Sequence, residues 1–405
     1  MQAGALQGIK VLDLSRVLAG PWAGQMLADL GADVIKVERP CAGDDTRAWG
    51  PPWLKDAEGR DTRDAAYFFC ANRNKRSVAI DIATPDGQAL VRRLAAEADV
   101  LLENFKVGGL RQYGLDYESL KSVNPRLIYC SITGFGQDGP YAQRPGYDFL
   151  IQGMGGLMSV TGPAEVSREP GVAGEPLPEG QGPQKVGVAL VDIMTGLYAS
   201  IGVLAALQHR HATGEGQHID LALLDVQVAA LANQTANHLI GGLVPKRMGN
   251  AHPNIVPYQD FPTADGDMIV AVGNDAQFAR LAESAGHAEW AGDDRFATNA
   301  ARVANRAVLI PLLRQATVMR TTREWIERLE AAGVPCGPIN RLDEVFADPQ
   351  VVARGLRVDL PHPVAGTVPG VANPIRLSAS PVAYRTAPPL LGQHTDEVLR
   401  DWLGD

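Results

Sequence analysis

The sequence predicts an α/β protein built on a mostly parallel sheet with helices on both faces. Three observations carry this expectation. Short apolar runs alternate with stretches of helical spacing from Ile9 to Ile132, the breaks between them fall at Gly and Pro, and 405 residues supply core enough for two or three domains. Alternation of this kind implies crossover connections, which place helices over both faces of parallel strands.

Ile9-Lys-Val-Leu-Asp-Leu14 reads as a short buried strand, and Gly20-Pro21 breaks it. Trp22 to Leu30 has helical spacing, Gly31 stands where a helix-terminating glycine belongs, and Asp33 to Val37 is a second strand, which completes one β-α-β unit. The pattern recurs with a strand Ser77 to Asp81, Thr84-Pro85 as N-cap and first helical residue, a helix to about Glu97 and a strand Val100 to Leu102. A helix around Tyr117 to Val123 and a strand Leu127 to Ile132 follow. Val186 to Gln208 is strongly apolar, with Gly196, Ala199, Gly202 and Ala206 small enough for close helix packing. A strand is expected at Gln217 to Leu221, a helix from about Leu224 to Ile240, and a hairpin across Phe261 to Val272 that turns at Asp265-Gly266. Gln277 to Ala332 is charged and helical, a Pro-rich stretch runs to Pro389, and a helix closes the chain at about Thr395 to Leu403. The five prolines between Gly162 and Gln184 mark a long surface loop.

Composition excludes several functions. A net charge of −9 repels nucleic acid and anionic membrane, so an anionic ligand requires a local basic patch. Cys41, Cys70, Cys130 and Cys336 form no C-x-x-C pair, which points to a reducing cytoplasm rather than to zinc or a redox dithiol. The first residues lack a signal-peptide pattern, and the apolar stretch near Leu197 to Leu207 falls short of the roughly 18 residues of a membrane span, so a soluble cytoplasmic protein is expected. Walker A, H-E-x-x-H and G-x-S-x-G signatures are absent, and ATP-driven ligation, zinc proteolysis and α/β-hydrolase chemistry lose their usual support.

Ligands of an open parallel sheet sit beyond the carboxyl ends of its strands, which here read Ser15 to Gly20, Glu38-Arg39, Glu103-Asn104-Phe105 and Thr133 to Gly136. The first turn lacks G-x-G-x-x-G and so disfavours a nicotinamide, although a helix N-terminus still welcomes a phosphate. Arg39, Arg47, Arg73, Lys75 and Arg76 concentrate positive charge, equally readable as a phosphate site or a solvated loop. His209, His211 and His218 have no acidic ligand run beside them and read as a helix end rather than a metal site. Asp192 lies among apolar neighbours, where an unpaired charge is costly. It is either the N-cap of a helix beginning near Ile193 or a carboxylate nucleophile at a helix start, held ionised by the helix dipole.

Taken together, Leu12-Asp-Leu-Ser-Arg-Val-Leu-Ala-Gly-Pro21, Leu30-Gly-Ala-Asp-Val-Ile-Lys-Val-Glu-Arg39, Gly43-Asp-Asp-Thr-Arg47, Asn72-Arg-Asn-Lys-Arg-Ser77, Glu103-Asn-Phe105, Val191-Asp-Ile-Met-Thr-Gly196, Gly333-Val-Pro-Cys-Gly-Pro338 and Leu391-Gly-Gln-His-Thr-Asp396 resemble the class III coenzyme A transferases, in order and over nearly the whole chain. Tyr129 to Gly134, Asn254 to Tyr258 and Gly337 to Asn340 are similar to the branch that acts on succinyl-CoA and glutarate. The resemblance implies a Rossmann-like large domain built from both ends of the chain, residues 1–210 and 340–405, and a smaller α+β domain at 225–330. It further implies a ring-shaped subunit threaded through an identical ring as an interlocked homodimer.

By the same resemblance Asp192 is the nucleophile that carries first an acyl anhydride and then a CoA thioester, with Asp148 in support. CoA would contact Val17, Leu18 and Ala19, Arg39, Ile80, Asp81, Ile82 and Ala83, and Asn104, Phe105 and Lys106. Arg73, Lys75 and Arg111 are further candidates for its phosphates, Arg111 because Gln112 stands where the family has a phosphate arginine. Tyr147, Gly249 and His252 are assigned to the acyl site, with Arg247, Lys246 or His252 offered to a distal carboxylate. The implied substrates are an acyl-CoA and a small carboxylic acid, with no metal, ATP or nicotinamide. Two alternatives share the fold. A racemase acting at the α-carbon of an acyl-CoA needs a histidine base where Tyr147 stands, and a non-catalytic CoA-binding module would have no use for the Asp192 segment.

Overall fold

The computed structural model describes residues 4–165 and 180–405; of the long loop expected at Gly162 to Gln184, residues 166–179 lie outside the described residues. The chain forms two compact units, one of Met1–Leu157, Val186–Gly241 and Pro349–Asp405, the other of Met158–Lys185 and Gly242–Asp348. The first unit therefore keeps the helices beyond residue 210, and the second also takes residues before 186.

Eight strands open the first unit: β1 (Lys10–Asp13), β2 (Asp33–Glu38), β3 (Trp53–Lys55), β4 (Asp61–Ala65), β5 (Lys75–Ala79), β6 (Val100–Glu103), β7 (Ile128–Thr133) and β8 (His218–Ala222). Six of them pair in parallel in the order β5-β2-β1-β6-β7-β8, while β3 and β4 form a separate antiparallel pair. Renumbered by themselves, the six follow the Rossmann order 3-2-1-4-5-6, and the winding reverses between β1 and β6, where such sheets bind ligands.

Local chemistry explains these elements. Val11, Leu12, Val34, Ile35, Leu101 and Ile128 are fully buried, as strands covered on both faces require. Thr84 Oγ1 accepts the Gly87 amide at 3.1 Å and Pro85 occupies the first turn, so the helix Pro85–Glu97 starts where the sequence marked it. On one side of the sheet Val91, Leu94, Leu120, Val398 and Trp402 share a core. On the other, the first helix (Ala19–Asp29) and the long helix Leu190–Thr213 pack together through Ala23, Leu27, Val191, Ala199 and Val203. A Cβ on Gly196 would stand 2.7 Å from the Ala19 carbonyl oxygen, so these two helices approach more closely than any other residue permits.

The long helix is long and apolar enough to cross a membrane by length and composition, which corrects the expectation that its apolar stretch falls short. Its inner face is buried, while Leu197, Tyr198, Ile201 and Leu204 are exposed on the outer one. The helix expected from Leu224 to Ile240 is two, Leu223–Ala230 and Ala232–Gly241, because Ala232 turns into the left-handed region at φ 43°.

In the second unit β9 (Tyr258–Pro262) and β10 (Asp267–Ala271) form the expected hairpin, and β11 (Cys336–Pro338) adds antiparallel to β10. Trp325, Phe261, Phe278 and Phe296 fill its core, and a capping box between Thr321 and Glu324 starts the helix Thr322–Ala331. The chain returns through a hairpin of β12 (Arg357–His362) and β13 (Gly366–Val371), which the sequence pattern did not reveal. The closing helix Thr395–Val398 runs into a π-helical turn, Leu399–Leu403, whose Trp402 donates to Asp33 at 2.8 Å.

Candidate functional site

Two loops frame the crevice beyond β1 and β6. Arg16 N donates to Asn104 Oδ1 at 2.9 Å and Asn104 Nδ2 donates back to Arg16 O at 2.7 Å, so the two loops are tied to each other. Val17 takes φ 72°, a strained value for a β-branched residue, and its amide faces both carboxylate oxygens of Asp44 at 3.3 Å. Asp44 is itself fixed by buried Lys36 at 2.8 Å, and the Lys36 charge together with the Thr46 hydrogen bonds outweighs burial and holds its carboxyl down to about 2.

Neighbouring cavities run along this edge. One, of about 300 Å³, is lined by Arg39, Ile80, Asp81, Ile82, Ala83 and Gln112. Another, of about 450 Å³, brings Val17, Leu18, Ala19 and Asn104 together with Tyr147 and Asp192. Arg16, Phe105 and Lys106 border both. Eleven of the fourteen residues expected to contact CoA therefore fall on one continuous edge of the sheet. Arg111 turns instead toward a third cavity of about 350 Å³ beside Glu103, Ser131 and His218, and it is Gln112 that faces the first.

Arg73 and Lys75 correct the reading of the basic segment. Arg73 pairs with Asp29 at 2.6 Å and donates to the Val371 carbonyl; Lys75 is wholly buried and bonds Asp13, Asn72 and the Pro21 carbonyl at 2.8 to 3.0 Å. Neither lines the crevice cavities: the Arg73–Asp29 pair ties the end of the first helix to the segment before β5, with the Val371 hydrogen bond reaching the C-terminal return, and the Lys75–Asp13 pair ties β5 to β1. Burial holds the Lys75 ammonium down to about 8, with Asp13 opposing.

Asp192 is the third residue of the long helix, whose N-cap is Ala189. It is therefore not the N-cap. That role passes to Asp148, first residue of the helix Asp148–Met154, which reaches across so that its Oδ1 accepts the Val191 amide at 2.8 Å. Gly134 and Gly146 make the approach possible: a Cβ on either would lie within 2.6 Å of the other's Cα, so the strand end and the Tyr147-Asp148 segment are in backbone contact. Gln152 completes the arrangement, donating to Asp148 Oδ2 at 2.7 Å and accepting the Val186 amide at 2.8 Å. Burial first, and then the neighbouring Asp148 charge, push the Asp192 carboxyl up to about 7. The expectation that the helix dipole keeps Asp192 fully ionised is corrected accordingly. At neutral pH it exists as acid and carboxylate in comparable amounts.

Sequence reading missed three side chains here. The Tyr67 phenol is pushed up to about 12 by burial, then by Cys70, Asp192 and Asp148, and so stays protonated. It belongs to a one-turn helix, Ala66–Phe69, that carries no motif. Gln152 was detectable as the i+4 neighbour of Asp148, and Arg144 as a cation just before Tyr147. Arg247, Gly249 and His252 belong to the second unit. There the Arg247 guanidinium is buried, 3.4 Å from Glu165 and bonded to the Pro163 carbonyl, and His252 Nδ1 accepts the Asn254 amide while burial, and then the Arg306 charge, lower the ring below its usual value. Among the described residues no three His, Cys, Asp or Glu side chains are grouped to hold a metal ion.

Comparison with known proteins shows the family. The model of CoA-transferase family III matches residues 6–395. The chain is 55% identical over 396 residues to the succinate–glutarate CoA-transferase of Agrobacterium fabrum, covering 98% of this chain and 95% of that one. It is 44% identical to the human succinyl-CoA:glutarate CoA-transferase, covering 98% and 86%. The crystal structure of a CAIB/BAIF family protein from Brucella suis superposes with a TM-score of 0.84 at 53% identity, covering 99% of this chain and all of that one.

Proposed function

The chain belongs to CoA-transferase family III, and from that premise we propose that it moves CoA from succinyl-CoA to glutarate or a closely similar dicarboxylic acid, by covalent catalysis at Asp192. One observation carries the reading: Asp192 shares a cavity with the Val17 to Ala19 and Asn104 to Lys106 loops at the switch point of a Rossmann-ordered sheet. The relatives named for succinate and glutarate supply the substrate pair.

In this reading the adenine end of CoA lies along Ile80 to Ala83, with Arg39 and Lys106 toward the phosphates, and the thioester passes Val17 to Ala19 to reach Asp192. The Asp192 carboxylate attacks the succinyl carbonyl and expels CoA thiolate, leaving a succinyl–aspartyl anhydride. The thiolate then attacks the aspartyl carbonyl, and succinate departs with the bridging oxygen. Glutarate attacks the resulting aspartyl thioester and expels the thiolate again. Attack of that thiolate on the glutaryl carbonyl forms glutaryl-CoA and restores the carboxylate. No proton is gained or lost overall, and the thioester energy is handed on at each exchange. The protein's task is to hold the reacting groups in place and exclude water from the anhydride.

A homodimer of interlocked rings is part of the same reading. Leu197, Tyr198, Ile201 and Leu204 expose an apolar stripe that a second copy would cover. Ile201→Asp should then leave aggregated or unfolded protein, and folded monomers on dilution of the wild type would remove the dimer from the proposal.

The catalytic claim is tested by incubating the protein with succinyl-CoA and hydroxylamine and mapping the product by mass spectrometry. An aspartyl hydroxamate at Asp192 is expected. Turnover with the peptide around residues 190–197 unmodified would assign the nucleophile elsewhere.

A further inference from the structure

A dicarboxylic substrate whose near carboxylate reacts at Asp192 leaves its far carboxylate inside the same cavity, where it requires a cation. Three cations border that cavity: Arg16, Lys106 and Arg144. Arg16 is engaged, since its guanidinium bonds Asp45 at 2.9 Å and lies over Phe105. Lys106 also borders the adenine-side cavity and the third one, which suits it to the phosphates of CoA.

Arg144 differs from both. It borders the Asp192 cavity and neither of the other two. Its guanidinium is held over the Tyr141 and Phe135 rings at 4.6 and 5.3 Å, and its one side-chain hydrogen bond among the described residues is a long contact of 3.9 Å to the Met154 sulfur. Among those residues no carboxylate pairs with it. Stacking on two rings fixes the plane of the fork at low entropic cost while leaving its N–H edge for a planar anion, the geometry in which arginine recognises a carboxylate bidentately. It also sits three residues before Tyr147 and four before Asp148, on the segment that Gly134 and Gly146 press against the end of β7. Of the three basic residues first offered for this role, all in the second unit, Arg247 is paired with Glu165, Lys246 is exposed, and burial disfavours the charged form of His252.

We infer that Arg144 binds the distal carboxylate of the dicarboxylic acid and thereby selects diacids over monoacids. The inference rests on the proposed function. The test measures CoA transfer from succinyl-CoA to glutarate and to pentanoate, its analogue lacking one carboxylate, in wild type, Arg144→Gln and Arg144→Lys. In a double-displacement reaction kcat/KM for the acceptor reports the second half-reaction alone, so the distal carboxylate of the donor does not confuse the reading.

Wild type should favour glutarate by about 10- to 100-fold, the worth of a charge-assisted pair. Arg144→Gln should lower kcat/KM for glutarate by about that factor and leave pentanoate unchanged, and Arg144→Lys should recover part of the loss as a point charge without the fork. An unchanged glutarate-to-pentanoate ratio in Arg144→Gln overturns the inference. So does an equal fall for both acids, which would assign Arg144 to CoA or to packing. A wild-type protein that transfers CoA to neither acid overturns the proposed function itself.

Discussion

The substitution Asp148→Asn tests whether the acid at position 148 sets the pH at which Asp192 becomes a nucleophile. Attack requires the carboxylate, and with the Asp192 carboxyl at about 7 the ionised fraction is about 9% at pH 6 and about 91% at pH 8. In wild type, kcat/KM for succinyl-CoA should therefore fall about tenfold per pH unit below about pH 6. The asparagine side chain keeps an oxygen for the Val191 amide that Asp148 caps but removes the charge, so Asp192 ionises more readily and the acid limb moves to lower pH. Burial is the larger of the two causes that raise Asp192, so the limb should move by less than half of the whole displacement, about 1.5 pH units at most. Tyr67 stays protonated throughout this range. Because the Gln152 donor at 2.7 Å then meets an amide NH₂ instead of a carboxylate, about 1 to 2 kcal/mol of stability should be lost as well. The assay is kcat/KM for succinyl-CoA from pH 5 to 9. A limb that stays in place or moves upward refutes the electrostatic coupling.

Asp192→Ala should abolish transfer to the limit of detection while the protein remains folded, and the hydroxamate-labelled peptide should vanish with it. Lys75→Met should destabilise by about 3 to 5 kcal/mol, measured by denaturant unfolding, because it leaves Asp13 buried and unpaired; an increased KM for acyl-CoA in the folded fraction would return Lys75 to the binding site. Burial raises the Glu103 carboxyl from its usual 4.5 to about 7, so its protonated form stabilises the fold below pH 4.5 and that contribution, roughly 3 kcal/mol in all, is lost as the pH rises through 7. Glu103→Gln should accordingly flatten the fall in melting temperature between pH 5 and 8, and an unaltered slope would place the titration elsewhere.

The centre of the parallel sheet was legible because β1, β6 and β7 are mainly apolar runs set between helical stretches with marked starts, as at Thr84-Pro85, whereas β5 begins two residues earlier than expected, in the charged pair Lys75-Arg76. The hairpins Trp53–Lys55 with Asp61–Ala65 and Arg357–His362 with Gly366–Val371 were not, since their residues are charged, Pro-rich or short and hold together by pairing rather than by an apolar face. Asp192 stood out as a carboxylate among apolar neighbours. Its ionisation did not, because that depends on Asp148, 44 residues away in sequence and beside it only once Gly134 and Gly146 have met. The basic segment from Asn72 to Arg76 shows the limit of charge counting: sequence reveals the cations, but whether Lys75 faces a phosphate or Asp13 is decided by β5 lying beside β2, with β1 beyond.

Gly196 has a consequence for the chemistry. With Ala19 O only 2.7 Å from where a Cβ would be, the helix bearing Asp192 and the turn that would cradle the pantetheine arm are packed backbone to backbone. In the proposed mechanism the aspartyl group is then an anvil, fixed while the reaction happens around it, and the travelling component is the sulfur, which must swing between two carbonyl carbons twice in every cycle. Selection on such a machine acts less on how the protein moves than on how far a tethered thiol can stray before it returns.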